Sequence, residues 1–284
     1  MRIVVASGKG GTGKTTVATS LALSAQEASS VRFMDCDVEA PNAALFLIPA
    51  LDIRKEVGIQ LPVVDEALCT HCGKCAEVCE FHAIAVIAKK TLIFPELCHG
   101  CGSCTLICPE KAISERLDVM GVLEGGKTAT GINFTQGVMN VGEPMAVPII
   151  RELKKWDPDP VFDIEIRDAP PGASCPVVET MRGADFILLV TEPTPFGLHD
   201  LKQVVGITRE LGIPAGVVVN RDGIGDNSVE TYCDEADLPI LLRIPMERHF
   251  AEAIASGKTL VDAAPEYLQI FRALLENITA RVAK

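Results

Sequence analysis

The chain has 284 residues, a formal net charge of −12 and an isoelectric point near 4.9. This acidity argues against DNA or an anionic membrane surface as a partner, because both attract basic proteins. Aromatic residues make up only 5% of the chain, which leaves no stacking platform for single-stranded nucleic acid. The length and the 48% hydrophobic content suffice for one large α/β domain, alone or with a small module.

The sequence favours a cytoplasmic location. No apolar run reaches the length of a membrane span, and a strand begins directly after Met1, so we expect neither a signal peptide nor a membrane partner. Eleven cysteines are many for a cytoplasmic chain. In that compartment clustered cysteines indicate metal binding or redox chemistry more often than disulfides.

A phosphate-binding loop is predicted between a short apolar strand at 2–7 and a helix at 16–26. The loop fits the pattern Gly, four residues, Gly-Lys-Thr, in which glycines let backbone N–H groups face an anion. Lys14 is placed to bind the β- and γ-phosphates, and the Thr15 hydroxyl to coordinate Mg²⁺. The residues expected to hold the nucleotide here are Gly8, Lys9, Gly10, Gly11, Thr12, Gly13, Lys14, Thr15 and Thr16.

A second lysine directly after the first glycine narrows this assignment. With Lys9 the loop reads Lys-Gly-Gly-Thr-Gly-Lys-Thr-Thr, which resembles the deviant loop of the MinD/ParA/Mrp family of P-loop ATPases. The resemblance implies that ATP and Mg²⁺ are the ligands. It also implies that Lys9 reaches across an ATP-bound homodimer to the partner's phosphates, as an arginine finger does elsewhere.

The second predicted strand, at 31–34, ends in the acidic segment Asp35-Cys36-Asp37. A carboxylate at the carboxyl end of a strand beside a phosphate loop is well placed to orient water or Mg²⁺. The spacing is similar to the first switch of the same family, which implies that Asp37 positions the attacking water. The alternative is that these carboxylates only cap the following loop. Cys36 is expected to be a buried small residue.

Eight cysteines between residues 61 and 117 form two runs with the same spacing. Both runs read Cys-x2-Cys-x2-Cys-x3-Cys, and the second repeats the first at an offset of 29 residues. This duplication is typical of a bacterial-type ferredoxin with two [4Fe–4S] clusters. Zinc fits poorly because zinc sites pair two Cys-x2-Cys knuckles, and a disulfide scaffold is the other alternative.

In such ferredoxins three closely spaced thiolates hold one cluster, and the fourth cysteine of the run crosses to the other cluster. Cluster 1 is therefore predicted to take Cys69, Cys72, Cys75 and Cys108, and cluster 2 to take Cys98, Cys101, Cys104 and Cys79. The second run is followed by the usual proline, Pro109, whereas Glu80 stands at this position in the first run. His71, His82 and His99 lie in or beside the runs and are expected to be bystanders.

Beyond the cysteine runs the sequence predicts a hairpin, a helix and a further strand. Residues 119–141 alternate apolar residues with glycines, as hairpin strands with mobile turns do. A helix is predicted to open at Gly142-Glu143-Pro144 and to run through Trp156. The strand at 162–167 alternates as a partly buried strand does.

This strand ends at Asp168, and Gly172 stands four positions later. The arrangement resembles the second switch of the family. The resemblance implies that Asp168 holds Mg²⁺ through water and that the Gly172 amide senses the γ-phosphate. A plain turn is the alternative. No role is assigned to Cys175, which follows closely.

The last third of the chain continues the alternation of strands and helices. Strands are predicted at 184–190, 215–219 and 239–245, and helices at 198–211 and 267–282, with a helix and turn at 250–257 that resemble the closing segment of the family. The resemblance implies that Asn220, with Arg221 beside it, contacts the adenine edge and that the backbone at Pro245 lines the base. The last helix is amphipathic with few basic residues, so we expect it to pack on the core.

This order of elements predicts a doubly wound, mostly parallel α/β sheet with ligands at the carboxyl ends of its strands. The resemblance extends over the whole chain. It implies a discontinuous P-loop ATPase domain, residues 1–60 and 118–284, with an inserted α+β ferredoxin domain at 61–117.

Together these features predict an ATP-hydrolysing iron–sulfur protein that dimerises when ATP is bound. Its cofactors would be ATP, Mg²⁺ and two [4Fe–4S] clusters. Two uses stay open: electron transfer to a redox partner protein, or the assembly and carriage of metal clusters for an accepting protein. The alternative is a ParA- or MinD-like positioning or adaptor ATPase with structural clusters, and the acidity counts against it. An amidoligase is disfavoured because the sequence shows no glutaminase domain.

Overall fold

A computed structural model describes residues 1–156 and 162–283. Its strands are β1 (Arg2–Ala6), β2 (Val31–Asp35), β3 (Ala50–Val64), β4 (Ile84–Ile87), β5 (Lys90–Ile93), β6 (Ile113–Lys127), β7 (Asn133–Met139), β8 (Ile164–Asp168), β9 (Phe186–Thr191), β10 (Ala215–Asp222) and β11 (Ile240–Pro245). Nine of them form one sheet in the order β11-β10-β9-β1-β8-β2-β7-β6-β3. The strands from β11 to β7 are parallel, and β6 and β3 add an antiparallel edge. The predicted fold class is confirmed.

Helices of the described residues cover both faces of this sheet, and two short ones lie in the segment with the clustered cysteines. The helices are α1 (Lys14–Ala25), α2 (Ala44–Leu47), α3 (Lys74–Glu77), α4 (Ser103–Ile107), α5 (Val147–Lys155), α6 (Cys175–Met181), α7 (Pro195–Leu211), α8 (Ser228–Glu235), α9 (Arg248–Ala255), α10 (Leu260–Ala263) and α11 (Tyr267–Val282), with a 3-10 turn at Pro95–Leu97. Ile3 and Val5 of β1 belong to one buried core with residues of α1 and α11, whereas Val4 and Ala6 belong to another with residues of α6, α7 and α8. Burial on both faces explains why the central strands read as continuous apolar runs.

The strand predicted at 162–167 is present as β8, but the prediction that it is only partly buried is wrong. β8 is buried along its whole length. It lies between β1 and β2 in the middle of the sheet. Its two inner charged residues neutralise each other, since Arg167 Nη2 is 2.6 Å from Glu165 Oε1. Arg32 Nη1 lies 3.4 Å from the other oxygen of Glu165. The charged residues that alternate with apolar ones in this strand are therefore not exposed. They form a buried ion-pair network.

The predicted hairpin at 119–141 is confirmed as β6 and β7, but β6 is longer than predicted and pairs with β3, which was not predicted. The β3–β6 pairing runs from Ala50 opposite Lys127 to Val64 opposite Ile113. We call these two strands the arm. The predicted limits at 61 and 117 fall inside its strands, and its far end connects to the cysteine-rich segment with α3, α4 and the small β4–β5 sheet.

Several helix boundaries also differ from the prediction. α1 begins at Lys14, α5 begins at Val147 and α7 begins at Pro195, whereas starts at 16, 142 and 198 were predicted. The start of α7 has a local cause, because the Thr194 side chain accepts a hydrogen bond from the Gly197 N–H and proline follows it. The short helices α2, α6, α8 and α10 were not predicted.

The predicted amphipathic helix at 267–282 is α11. Its buried residues include Phe271 and Ile278, which belong to the same core as residues of α1. Packing of this helix on the core is therefore confirmed. In the part of the chain that the structure describes, no helix has the length and apolarity that a membrane span requires.

Candidate functional site

A cavity of about 570 Å³ opens beside the phosphate loop. The predicted residues that line it are Lys9, Gly10, Gly11, Gly13, Lys14, Thr15, Thr16, Asp37, Asn220, Arg221 and Pro245. Sequence reasoning missed an apolar wall made by Ile244, Phe250, Ile254 and Leu260. The volume is typical of small-molecule sites, which combine apolar walls with a few polar groups. One end of this cavity is thus suited to phosphates, and the apolar wall is suited to a base.

The glycines of the loop allow close approach of neighbouring groups. Gly13 has φ of 91°, and a Cβ placed on it would lie 2.2 Å from Asn220 Nδ2. Asn220 Nδ2 donates a hydrogen bond to the Thr12 carbonyl over 2.7 Å. A Cβ placed on Gly8 would lie 2.4 Å from the Asp200 carbonyl oxygen. Asn220 therefore supports the loop, in addition to lining the cavity.

Two loop residues converge on one carboxylate of the second predicted switch. Lys14 Nζ lies 2.5 Å from Asp168 Oδ1, and the Thr15 hydroxyl donates to Asp168 Oδ2 over 2.6 Å. Both Lys14 and Asp168 are buried. A hydroxyl and a carboxylate are the ligand types that Mg²⁺ prefers, so this group of side chains fits the predicted ion. The Gly172 amide donates to the Ser7 carbonyl over 3.0 Å, so contact with a phosphate requires that bond to open.

The two acidic residues at the carboxyl end of β2, Asp35 and Asp37, have different surroundings. Asp35 is buried, and its carboxylate accepts hydrogen bonds from the N–H groups of Asp37, Asn42 and Ala43 at 3.1, 2.9 and 2.9 Å. Burial, together with the charge of Asp168, raises the pKa of Asp35 to about 7. Burial also raises the pKa of Asp37 to about 6. Capping of the loop is thus the role of Asp35, whereas Asp37 faces the nucleotide cavity.

The predicted cross-dimer lysine is paired within its own chain. Lys9 Nζ lies 3.4 Å from Glu192 Oε2, and Arg221 Nη1 lies 2.6 Å from Glu192 Oε1. Arg221 also donates to the Gly11 carbonyl over 3.0 Å. Sequence reasoning missed Glu192, whose side chain is only 7% exposed. Lys9 must leave this carboxylate before it can reach a second protomer.

The eight clustered cysteines lie in two separate groups next to the arm. The cluster 1 site is a cavity lined by Cys69, Cys72, Cys75 and Cys108. The cluster 2 site is a cavity lined by Cys79, Cys98, Cys101 and Cys104. The fourth cysteine of each run therefore lies with three cysteines of the other run, as the crossed pattern requires. All eight are free thiols.

The chemistry of these groups fits [4Fe–4S] clusters, in which each of four thiolates binds a separate iron atom. Among the described residues, no group of three or more His, Cys, Asp or Glu side chains is arranged to hold a metal ion. Backbone N–H groups of Ala83 and Ala112 donate to the sulfurs of Cys79 and Cys108, each over 3.3 Å. Such bonds stabilise thiolates, the form that binds metal.

The histidines near the cysteines have contacts of different kinds. His71 Nδ1 lies 3.6 Å from Cys69 Sγ, and the same nitrogen is 3.3 Å from the Thr91 hydroxyl. The His99 ring stacks on Phe81 with centroids 3.7 Å apart. Each of these two rings lines one of the cluster sites beside four thiols, so the expectation that they are not ligands is retained as a prediction.

The fold and the loop together define a nucleotide-binding protein with a doubly wound sheet. Residues 3–261 match the family model of the CobQ/CobB/MinD/ParA nucleotide binding domain, so the chain belongs to this family of P-loop proteins. It is 30% identical over 262 residues to an uncharacterized protein, MJ0579, of Methanocaldococcus jannaschii, covering 92% of this chain and 91% of that protein.

Two further comparisons extend this result. A protein of Culex quinquefasciatus named cytosolic Fe-S cluster assembly factor NUBP2 homolog is 25% identical over 289 residues, covering 93% of this chain and 90% of its own length. The septum site-determining protein MinD of Pyrococcus horikoshii, solved with Mg-ADP, has a similar fold with a TM-score of 0.60 at 21% identity, covering 98% of this chain and 95% of that one. The predicted membership of the MinD/ParA group is confirmed.

The crossed grouping of cysteines predicts which double variants lose both clusters. Cys79→Ala with Cys98→Ala removes two ligands of the cluster 2 site only, whereas Cys79→Ala with Cys69→Ala damages both sites. After anaerobic reconstitution, we expect about half of the wild-type iron in the first double variant and almost none in the second. Iron analysis showing the reverse pattern would mean that each run binds its own cluster.

Proposed function

We propose that this chain is an ATP-hydrolysing iron–sulfur protein in which nucleotide-driven homodimerisation is coupled to two [4Fe–4S] clusters. The observation that carries the proposal is that the two four-thiol sites adjoin strands of the same sheet that supports the nucleotide cavity. We assign residues 1–60 and 118–284 to the ATPase domain and residues 61–117 to the cluster module. Lys9, directly after the first glycine of the phosphate loop, supports the assignment of this loop to the deviant type found in MinD/ParA/Mrp proteins.

Each side chain at the cavity has a separate role in the proposed hydrolysis of ATP. Lys14 exchanges the Asp168 carboxylate for the β- and γ-phosphates, because both are anionic partners of one buried ammonium group. Thr15 and Asp168 would hold Mg²⁺, and the ion would neutralise phosphate charge. Asp37 orients the attacking water, and it does so as a carboxylate, above a pKa of about 6. Lys9 of the partner protomer supplies the remaining positive charge.

A packed route from the first switch to the cysteines supports the coupling. Val38, which follows Asp37, accepts a hydrogen bond from the Met139 N–H over 2.8 Å and lies in one buried core with Val57 of the arm. Ile59 of the arm packs against that core and also against the core that contains Cys98. Side chains in contact therefore connect the switch to the cluster 2 site, and a change at one end has a physical path to the other.

The ligand sets favour electron transfer over carriage of the clusters. Each site offers four thiols, so a bound [4Fe–4S] cluster has every iron held by the protein and no position open to an acceptor. Clusters held in this way stay with the protein and exchange electrons. The name of the Culex quinquefasciatus relative, a cytosolic Fe-S cluster assembly factor, supports the other use, the assembly of clusters for an accepting protein, which is the second candidate function.

A redox titration of the anaerobically purified protein tests this function. We expect ATP, and not ADP, to shift the midpoint potential of at least one cluster, because closure of the dimer changes the surroundings of the arm. The Lys14→Ala variant, which lacks the phosphate-binding ammonium group, should retain its iron and lose the shift. If ATP left the midpoint potentials of the wild-type clusters unchanged, the result would contradict the coupling between nucleotide and clusters. It would favour a positioning ATPase with structural clusters.

The role of Lys9 predicts a separation of dimerisation from nucleotide binding. Lys9→Ala should abolish the ATP-dependent dimer and leave nucleotide binding by the monomer largely intact, because Lys14 and Thr15 remain. Size-exclusion chromatography with light scattering measures the first property, and calorimetric titration measures the second. Lys90→Ala, in the cluster module and away from the nucleotide cavity, is the matched control and should dimerise normally. An ATP-bound dimer of unchanged stability in Lys9→Ala would refute the cross-dimer role.

A further inference from the structure

We propose that Glu115 lowers the reduction potential of cluster 2 below that of cluster 1 and so sets the direction of electron flow between them. This inference rests on the proposed presence of both clusters. It concerns a single residue of the arm that belongs to none of the metal-binding motifs. Glu115 is singled out because two sites built on repeated sequence carry different side chains at its position.

The internal repeat identifies the equivalent positions. At the offset of 29 residues, Glu115 in β6 corresponds to Val86 in β4. Both residues line a cluster site: Val86 lines the cluster 1 site and Glu115 lines the cluster 2 site. The duplication thus places an apolar side chain beside one cluster and a carboxylate at the matching position beside the other.

The Glu115 carboxylate is held in place by the loop that carries the cysteines. The Thr105 hydroxyl donates to Glu115 Oε1 over 2.8 Å, and Thr105 directly follows Cys104. A Cβ placed on Gly102 would lie 3.1 Å from the same oxygen, so this loop passes close to the carboxylate. The residue equivalent to Thr105 in the first run is Ala76, which has no hydroxyl. The first repeat therefore lacks both the charge and the group that orients it.

The charged side chains that line the two sites also make the cluster 2 site more negative than the cluster 1 site. The Asp, Glu, Lys and Arg side chains lining the cluster 1 site are Lys74 and Glu110, whose formal charges cancel. At the cluster 2 site the described lining contains Glu115 alone. Reduction adds one negative charge to a cluster, and a nearby carboxylate repels that charge. The cluster 2 site is therefore the harder of the two to reduce.

The difference in reduction potential between the two clusters sets the direction of electron flow through the module. The arm lines both sites, through Gln60 and Pro62 at cluster 2 and through Ile113 at cluster 1. The packed route from the first switch through Ile59, however, reaches Cys98 of the cluster 2 site. With both clusters bound, an electron supplied by an external one-electron reductant would pass from cluster 2 to cluster 1, so that cluster 2 would be oxidised by one electron and cluster 1 reduced by one, with no bond or proton changed. A recipient protein would then take its electron at the cluster 1 site.

Charge exchange at the two equivalent positions tests the inference in the full-length protein. Glu115→Gln keeps the shape and an oxygen for the Thr105 hydroxyl but removes the charge, and Val86→Glu places a carboxylate at the matching position of cluster 1. Midpoint potentials are measured by redox titration with dithionite, followed by electron paramagnetic resonance. Cys69→Ala and Cys98→Ala variants assign each signal to its cluster. Iron content serves as the control for an intact module.

We expect Glu115→Gln to raise the potential of cluster 2 and leave that of cluster 1 unchanged, with a smaller effect at high salt because the carboxylate is exposed. Glu115→Asp should keep the wild-type order, and Val86→Glu should lower the potential of cluster 1. Unchanged potentials in Glu115→Gln with all iron present, or an equal shift of both clusters, would overturn the role of Glu115. A wild-type protein without the clusters would instead refute the proposed function.

Discussion

The antiparallel pairing of β3 with β6 is the constraint on which the rest of the molecule depends. These strands form the edge of the nine-stranded sheet at one end and reach the cysteine-rich segment at the other. Pairing over their whole length leaves no flexible linker between the sheet and the base of the cluster sites. A segment attached in this way responds to strain in the sheet, whereas a tethered ferredoxin would not. The proposed coupling between nucleotide and clusters follows from this attachment.

At the carboxyl ends of the central strands, cations that the proposal assigns to phosphate binding have carboxylate partners within the chain. Lys14 pairs with Asp168, and Lys9 pairs with Glu192. An unpaired buried charge is costly, so these pairs keep the site intact until a phosphate offers an alternative anion. In the proposed mechanism, exchange of the Asp168 pair would release the second switch, and exchange of the Glu192 pair would free Lys9 for a second protomer. The same ion pairs would then stabilise the site without nucleotide and respond to its binding.

The sequence predicted the features that depend on local spacing and missed those that depend on distant partners. The phosphate loop and the cysteine runs are contiguous motifs. All eight cysteines line the two thiol sites, and all the predicted loop residues except Gly8 and Thr12 line the nucleotide cavity. β3 was missed because its first half is exposed and so shows no apolar pattern, and because β6, the strand it pairs with, lies far along the chain. Burial of β8 depends on Arg32 of a neighbouring strand, and Glu192 belongs to no motif. The division of roles between Asp35 and Asp37 depends on which carboxylate the loop covers.

Amide hydrogen exchange of the arm tests the central claim most directly. The Asp37→Ala variant, which lacks the residue proposed to position the attacking water, is compared with ATP and with ADP bound at equal saturation. We expect ATP to change the exchange of residues 50–64 and 113–127 as well as that of the two switches, because one packed route joins them. Exchange in the arm that is identical in both nucleotide states, while the switches differ, would contradict it.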